Sequence, residues 1–230
     1  MNEVIVPRLN PASRLYSFVA VAVAVLVFAG FARSYYLRAF VSARRLTPLA
    51  HLHGVLLTGW ILLFAAQATL IRKGRLALHR RLGVCGAVLA VAIVIVGSLT
   101  VAAAIERRFP GIALGRFARI FVEFDALSLW VFGALVLAAL LWRMRSDFHK
   151  RLMLCATVAL LPPAVGRIAE LLLPGSDWNV LIAAATTSAF VLICALADTL
   201  QLKRLHPAMA AGAASVLAAN LLTQLAQAGD

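Results

Sequence analysis

Apolar residues gather along this chain into seven long runs, each bounded by a short stretch of arginine, lysine, proline or histidine. A helix that crosses a bilayer needs about 20 mostly apolar residues. The runs at approximately 15–32, 49–71, 82–104, 124–142, 152–173, 179–200 and 208–226 supply them. The pattern predicts an all-α fold, a polytopic membrane helix bundle of seven transmembrane helices, with 1–230 as a single integral-membrane domain.

Local signals sharpen several boundaries. Thr47-Pro48 places a capping hydroxyl before a first-turn proline, which predicts a helix start there. Ser146-Asp147 is a candidate cap for the fifth span. Pro162-Pro163 falls inside that span and should kink it, because proline lacks the donor that a helix interior needs. Freed carbonyls inside a membrane require protein or water partners, so the fifth span is expected to wall any internal cavity.

The joints between runs repeat. His79-Arg80-Arg81-Leu82 opens the third run, and His149-Lys150-Arg151-Leu152 opens the fifth. The sixth and seventh runs are joined through Lys203-Arg204-Leu205-His206-Pro207, which shares only the placement of its histidine. One N-terminal helix followed by three antiparallel pairs is the expected arrangement. Repeats of this kind often frame a shared site.

Composition settles the environment. Of 230 residues, 63% are hydrophobic and 13% charged, more apolar surface than a soluble fold of this length can hide. The net charge of +13 would suggest nucleic acid in a soluble protein. Here the basic residues lie between the runs, where topology accounts for them, and no nucleic-acid partner is expected. More of them fall on the side of the N-terminus, 72–81, 143–151 and 201–206, which predicts a cytoplasmic N-terminus and a periplasmic C-terminus. Arg8 and Arg14 before a run ending in Gly30-Phe31-Ala32 also fit a cleaved signal peptide; a retained first helix is the expectation. Cys85, Cys155 and Cys194 are scattered inside runs and form no disulfide framework.

The candidate chemistry divides between the two ends of the helices. His79, His149 and His206 share the inner end with Asp198. Two imidazoles from different helices can approach one haem iron axially, and three with an aspartate can hold zinc, iron or copper. Asp198 can instead orient an imidazole. A histidine at a helix start beside basic residues also suits a headgroup-facing position, which is the plainer alternative. The outer group is His51, His53, Glu123, Asp125, Arg167 and Glu170. His51 shares a stripe with Gly54 and Thr58, and His53 shares one with Trp60, Phe64 and Gln67. Arg167 and Glu170 lie on one helix face and can pair, as a structural ion pair or as a site wall. No lysine lies deep in the seventh run for a retinal, and no Walker loop, GxGxxG or HExxH occurs.

The order HLHG at 51–54, glutamine at 67, LHRRLG at 78–83, HKRLM at 149–153 and HP at 206–207 resembles a group of uncharacterised bacterial seven-helix inner-membrane proteins. More distantly, histidines at helix starts resemble membrane b-type cytochromes and haem-copper oxidase assembly proteins, although no helix carries two histidines at the spacing that stacks two haems. The resemblance implies the bacterial inner membrane, with quinone or respiratory-chain proteins as partners beside the lipid bilayer.

Three function classes follow. The first is haem b or another metal on His79 and His149, serving electron transfer or oxidase cofactor assembly. The second is a cofactor-free transporter or receptor with a cavity lined by His51, His53, Asp125, Arg167 and Glu170. The third is a metal-dependent membrane hydrolase.

Overall fold

A computed structural model describes residues 11–41, 46–111 and 126–228, and every regular element among them is helical. In chain order these are α1 (Pro11–Phe31), a π-helical turn (Ala32–Tyr36), α2 (Arg38–Val41), α3 (Pro48–Arg72) and α4 (Leu76–Arg108). There follow α5 (Ala126–Leu141), α6 (Ser146–Ala159), α7 (Pro162–Leu172), α8 (Asn179–Leu202) and α9 (Pro207–Ala228). Six described segments are long and apolar enough to cross a membrane, and Ala126–Leu141 is a shorter apolar helix. This fits an integral membrane protein. The expected Glu123 and Asp125 lie outside the described residues.

The outward faces are those of a protein solvated by lipid. Along α4, Val84, Val88, Val91 and Ile95 are all exposed, while Gly86, Ala90, Ile93 and Gly97 point inward and are buried. Leu192, Ile193, Leu196 and Leu200 do the same on α8. Apolar stripes of this extent are not presented to water.

Two-thirds of the apolar window in Ser146–Leu172 (67%) is buried, against 17–44% in the other five candidate spans. That segment is the axis of the bundle, and its sequence explains why. Its inward side chains are small or apolar, and Cys155, Ala156, Val158 and Ala164 have no exposed surface. α5, α9 and α8 pack around α6, while α1 and α8 pack on α7. α3 packs on α1 and α4, and α4 on α5. The break at Pro162-Pro163 falls where the sequence placed it. α6 ends at Ala159, and α7 restarts with Ala164 and Val165 both donating to Leu161 O.

The other boundary signals have mixed outcomes. Thr47 accepts from Ala50 N at 3.3 Å and Pro48 opens α3. Ser146 and Asp147 instead lie in the first turn of α6, whose N-cap is Arg145 without a side-chain capping bond. α4 starts six residues before its apolar run, because the basic residues that bound the run are themselves good helix formers. His79 is therefore inside a helix. α1 is packed into the bundle through Val19, Val23 and Val27, and a Cβ at Gly30 would collide with the Ala164 carbonyl.

One ion pair crosses the axis. Arg151 Nε donates to Asp198 Oδ2 at 2.7 Å, and the two side chains are 2% and 4% exposed. Arg151 Nη1 also donates to Asp147 O at 2.7 Å. Removing one member of a buried pair strands the other, at a cost of about 3–5 kcal/mol. Asp198→Asn is expected to lower stability on that order in an unfolding titration of purified protein. Pairing it with Arg151→Met should recover most of the loss, since no unpaired charge then remains.

Candidate functional sites at the two ends of the bundle

His79 stands in the first turn of α4 and His149 in the first turn of α6, two helices that are not one of the bundle's principal pairs. Their imidazole rings nevertheless meet, with centres 6.4 Å apart and planes at 85°. The His149 Nδ1 lies 2.8 Å from Ala139 O. A carbonyl only accepts, so Nδ1 carries the hydrogen and Nε2 keeps its lone pair. Metal-ligating histidines are held in this manner. The His79 Nδ1 is buried without a hydrogen-bond partner among the described residues, and so is Gln67 Oε1. Gln67 Nε2 donates to His79 O at 3.2 Å, which brings that carboxamide into the same corner. Gly83 sits one turn beyond His79 on its face of α4. A Cβ there would meet only the Gln67 carboxamide nitrogen, at 3.9 Å.

The other inner-end residues are occupied elsewhere. His206 precedes the first residue of α9, and its Nδ1 accepts from Ala208 N at 3.1 Å. Nε2 must then carry the hydrogen, and it donates to Asp147 Oδ2 at 3.0 Å. This imidazole is a helix cap with neither nitrogen available to a metal. Asp198 belongs to Arg151. No three His, Cys, Asp or Glu side chains gather into a metal cage among the described residues, so the expected set of three histidines with Asp198 is not assembled. What remains is two imidazoles in edge-to-face contact.

The opposite end holds a cavity of about 670 Å³. Its floor and walls are largely apolar, with Leu57, Ile61, Leu129 and Leu160 among them. The broken fifth segment forms one wall through Pro162, Pro163, Gly166, Arg167 and Glu170, as the double proline implied. His53 lines it too, with Nδ1 buried and unpartnered among the described residues. Arg167 donates to Pro163 O at 2.8 Å and lies 4.4 Å from the Phe31 ring centre. The Glu170 carboxylate accepts from Gly175 N at 3.0 Å and from Asn179 Nδ2 at 2.6 Å.

His51 is placed differently from His53. It is exposed and stacks on Tyr35, with ring centres 5.6 Å apart and the Tyr35 hydroxyl 3.3 Å from Nδ1. The small stripe beside it is filled by the π turn. Tyr35 covers Gly54, and the Tyr36 hydroxyl bonds the Thr58 hydroxyl at 2.8 Å. Gln67 stands at the far end of α3 from His53, about 21 Å away along the helix. Ser34, Arg38 and Asn179, which also line the cavity, carried no pattern in the sequence. The adjacent tyrosines were the available signal, as aromatic anchors typical of a membrane interface.

No protein-family model matches the chain, and neither does any curated protein or any solved structure.

His206→Asn is expected to leave stability and the visible spectrum unchanged, because asparagine is among the best N-caps. His206→Ala should cost about 1 kcal/mol in the same unfolding titration. Equal losses in both variants would show that the bond to Asp147, rather than the cap, carries the stability.

Proposed function

We propose that this chain is an integral protein of the bacterial inner membrane that holds haem b between His79 and His149 and passes single electrons along the respiratory chain. Ala126–Leu141 serves as the seventh crossing in this reading, and the short joints pair α3 with α4, α5 with α6, and α8 with α9 as antiparallel hairpins. The imidazole pair then lies at the cytoplasmic end. The chain would take its place in the bacterial seven-helix group whose motif order it resembles, with quinone or a respiratory protein as the redox partner.

The imidazole pair carries this reading. The ring centres stand 6.4 Å apart, near the roughly 6 Å that two imidazoles bonded to one ion would span. Zinc wants at least three protein ligands, which the described residues do not group together. Haem would need only two protein ligands, and His79 and His149 would hold it. His149 has its Nε2 free and its ring fixed by Ala139 O. His79 has a buried nitrogen without a partner, and Gly83 leaves open space one turn below it. Arg80, Arg81, Arg143 and Arg145 are exposed around the pair, and they suit the carboxylates such a cofactor carries.

When bound, the cofactor supplies one-electron redox chemistry. The protein's part is to hold both imidazoles on separate helices, fix the His149 tautomer and surround the site with positive charge. That charge favours the reduced state of a neighbouring redox group and attracts acidic partner surfaces.

Detergent-purified protein is expected to show sharp haem bands in a reduced-minus-oxidised visible spectrum. His79→Ala and His149→Ala should each abolish or broaden them. Gly83→Leu should lower haem content with both imidazoles still present, because its side chain enters the space below His79. A colourless protein after expression in haem-replete cells would overturn the proposal, as would full haem content in the His79→Ala, His149→Ala double variant.

A further inference from the structure

The outer cavity stands independently of the imidazole pair, and its unpartnered atoms describe a ligand. Ser34 Oγ, His53 Nδ1 and Asn179 Oδ1 are buried, lack hydrogen-bond partners among the described residues and belong to residues that line this one cavity. They come from three separate elements, the π turn, α3 and the first turn of α8. A buried polar atom left unmatched is costly, and native structures rarely keep several in one place without something to fill them.

Asn179 is the most informative of the three, because it is only 7% exposed and its orientation is fixed. Its Nδ2 donates both to Glu170 Oε2 at 2.6 Å and to Leu173 O at 3.0 Å. The amide oxygen is therefore the atom left over, and an amide oxygen can only accept. Whatever fills that corner must present an N–H or O–H group. Glu170 stands beside it and would favour a positively charged donor.

The same cavity carries the opposite demand. Arg38 and Arg167 are among its lining residues; Arg38 Nη1 donates to Ser34 O at 3.3 Å and Arg167 Nη1 to Pro163 O at 2.8 Å, and a guanidinium carries five N–H donors. Arginine is the residue best matched to a carboxylate. Between these polar corners the walls are apolar, and the volume of about 670 Å³ lies in the range of small-molecule sites.

We propose that the outer cavity binds a small apolar acid carrying a hydrogen-bond donor next to its carboxylate, the chemistry shared by aliphatic α-amino and α-hydroxy acids. The carboxylate faces Arg167 and Arg38, the donor faces Asn179 Oδ1 beside Glu170, and the alkyl part lies along Leu57, Ile61 and Leu129.

Four probes test this by equilibrium binding to the full chain in lipid nanodiscs. They are leucine, 2-hydroxy-4-methylpentanoate, 4-methylpentanoate and 3-methylbutylamine. Leucine, the hydroxy acid or both should bind at least tenfold more tightly than the acid lacking the donor and the amine lacking the carboxylate. Leucine alone would assign the donor to an ammonium on Glu170, and the hydroxy acid alone would assign a neutral donor. Arg167→Gln should weaken the favoured probe at least tenfold while leaving the unfolding transition in place. Asn179→Asp, which keeps an acceptor in the corner, should weaken a hydroxy acid less than Asn179→Leu does. Equal binding of all four probes, or no binding of any at millimolar concentration, would overturn the proposal.

Discussion

A polar atom inside a bilayer has no water to turn to, and that constraint sorts the histidines and charges of this chain. Arg151 and Asp198 satisfy each other across the axis, while His206 is consumed by Ala208 and Asp147. Among the described residues, the unpartnered nitrogens and amide oxygens fall in two places, His79 with Gln67 at one end and His53 with Asn179 at the other. Ser34 adds a hydroxyl to the second place. The remaining unpartnered atoms are hydroxyls of Tyr16, Ser98, Thr187 and Thr223, whose hydrogens rotate toward whatever acceptor is near.

Both places depend on the segment from Ser146 to Leu172. Its first turn presents His149 and, through Arg151, fastens itself to α8. Its break at Leu160–Leu161 redirects the chain, and Arg167 and Glu170 beyond it line the outer cavity. An unbroken helix would continue the same stripe past the bundle wall. The double proline thus links fold and site: the feature that weakens the helix locally also opens room for the second site.

Much of the helical layout was legible in the sequence, because a bilayer imposes a length on every crossing. Pro48–Arg72 and Asn179–Leu202 lie within two residues of the runs read from hydropathy. The break at Pro162-Pro163 was equally plain. The side-chain pairings were less so. Periodicity places His79 and His149 at helix starts but cannot say that their rings meet. Asp198 was read as a companion to the histidines because it lies near the same end of the helices. The partner is Arg151, hidden within a block that otherwise reads as an interfacial basic cluster. Ser34, Arg38 and Asn179 were missed for a different reason. They enter the cavity through the π turn and the start of α8, and nothing in a hydropathy pattern distinguishes a polar residue facing a cavity from one facing a headgroup.

The two ends are about 21 Å apart along α3, on opposite sides of the apolar region. The inner imidazole pair is proposed to hold haem b. Low-temperature electron paramagnetic resonance of the oxidised, purified protein tests that most directly. Two imidazoles on one ferric haem give a low-spin signal, and planes near perpendicular, as at 85° here, give one of strong anisotropy. That signal, lost in His79→Ala, is the result this account requires. A high-spin signal, or no ferric signal from protein expressed with ample haem, would contradict it.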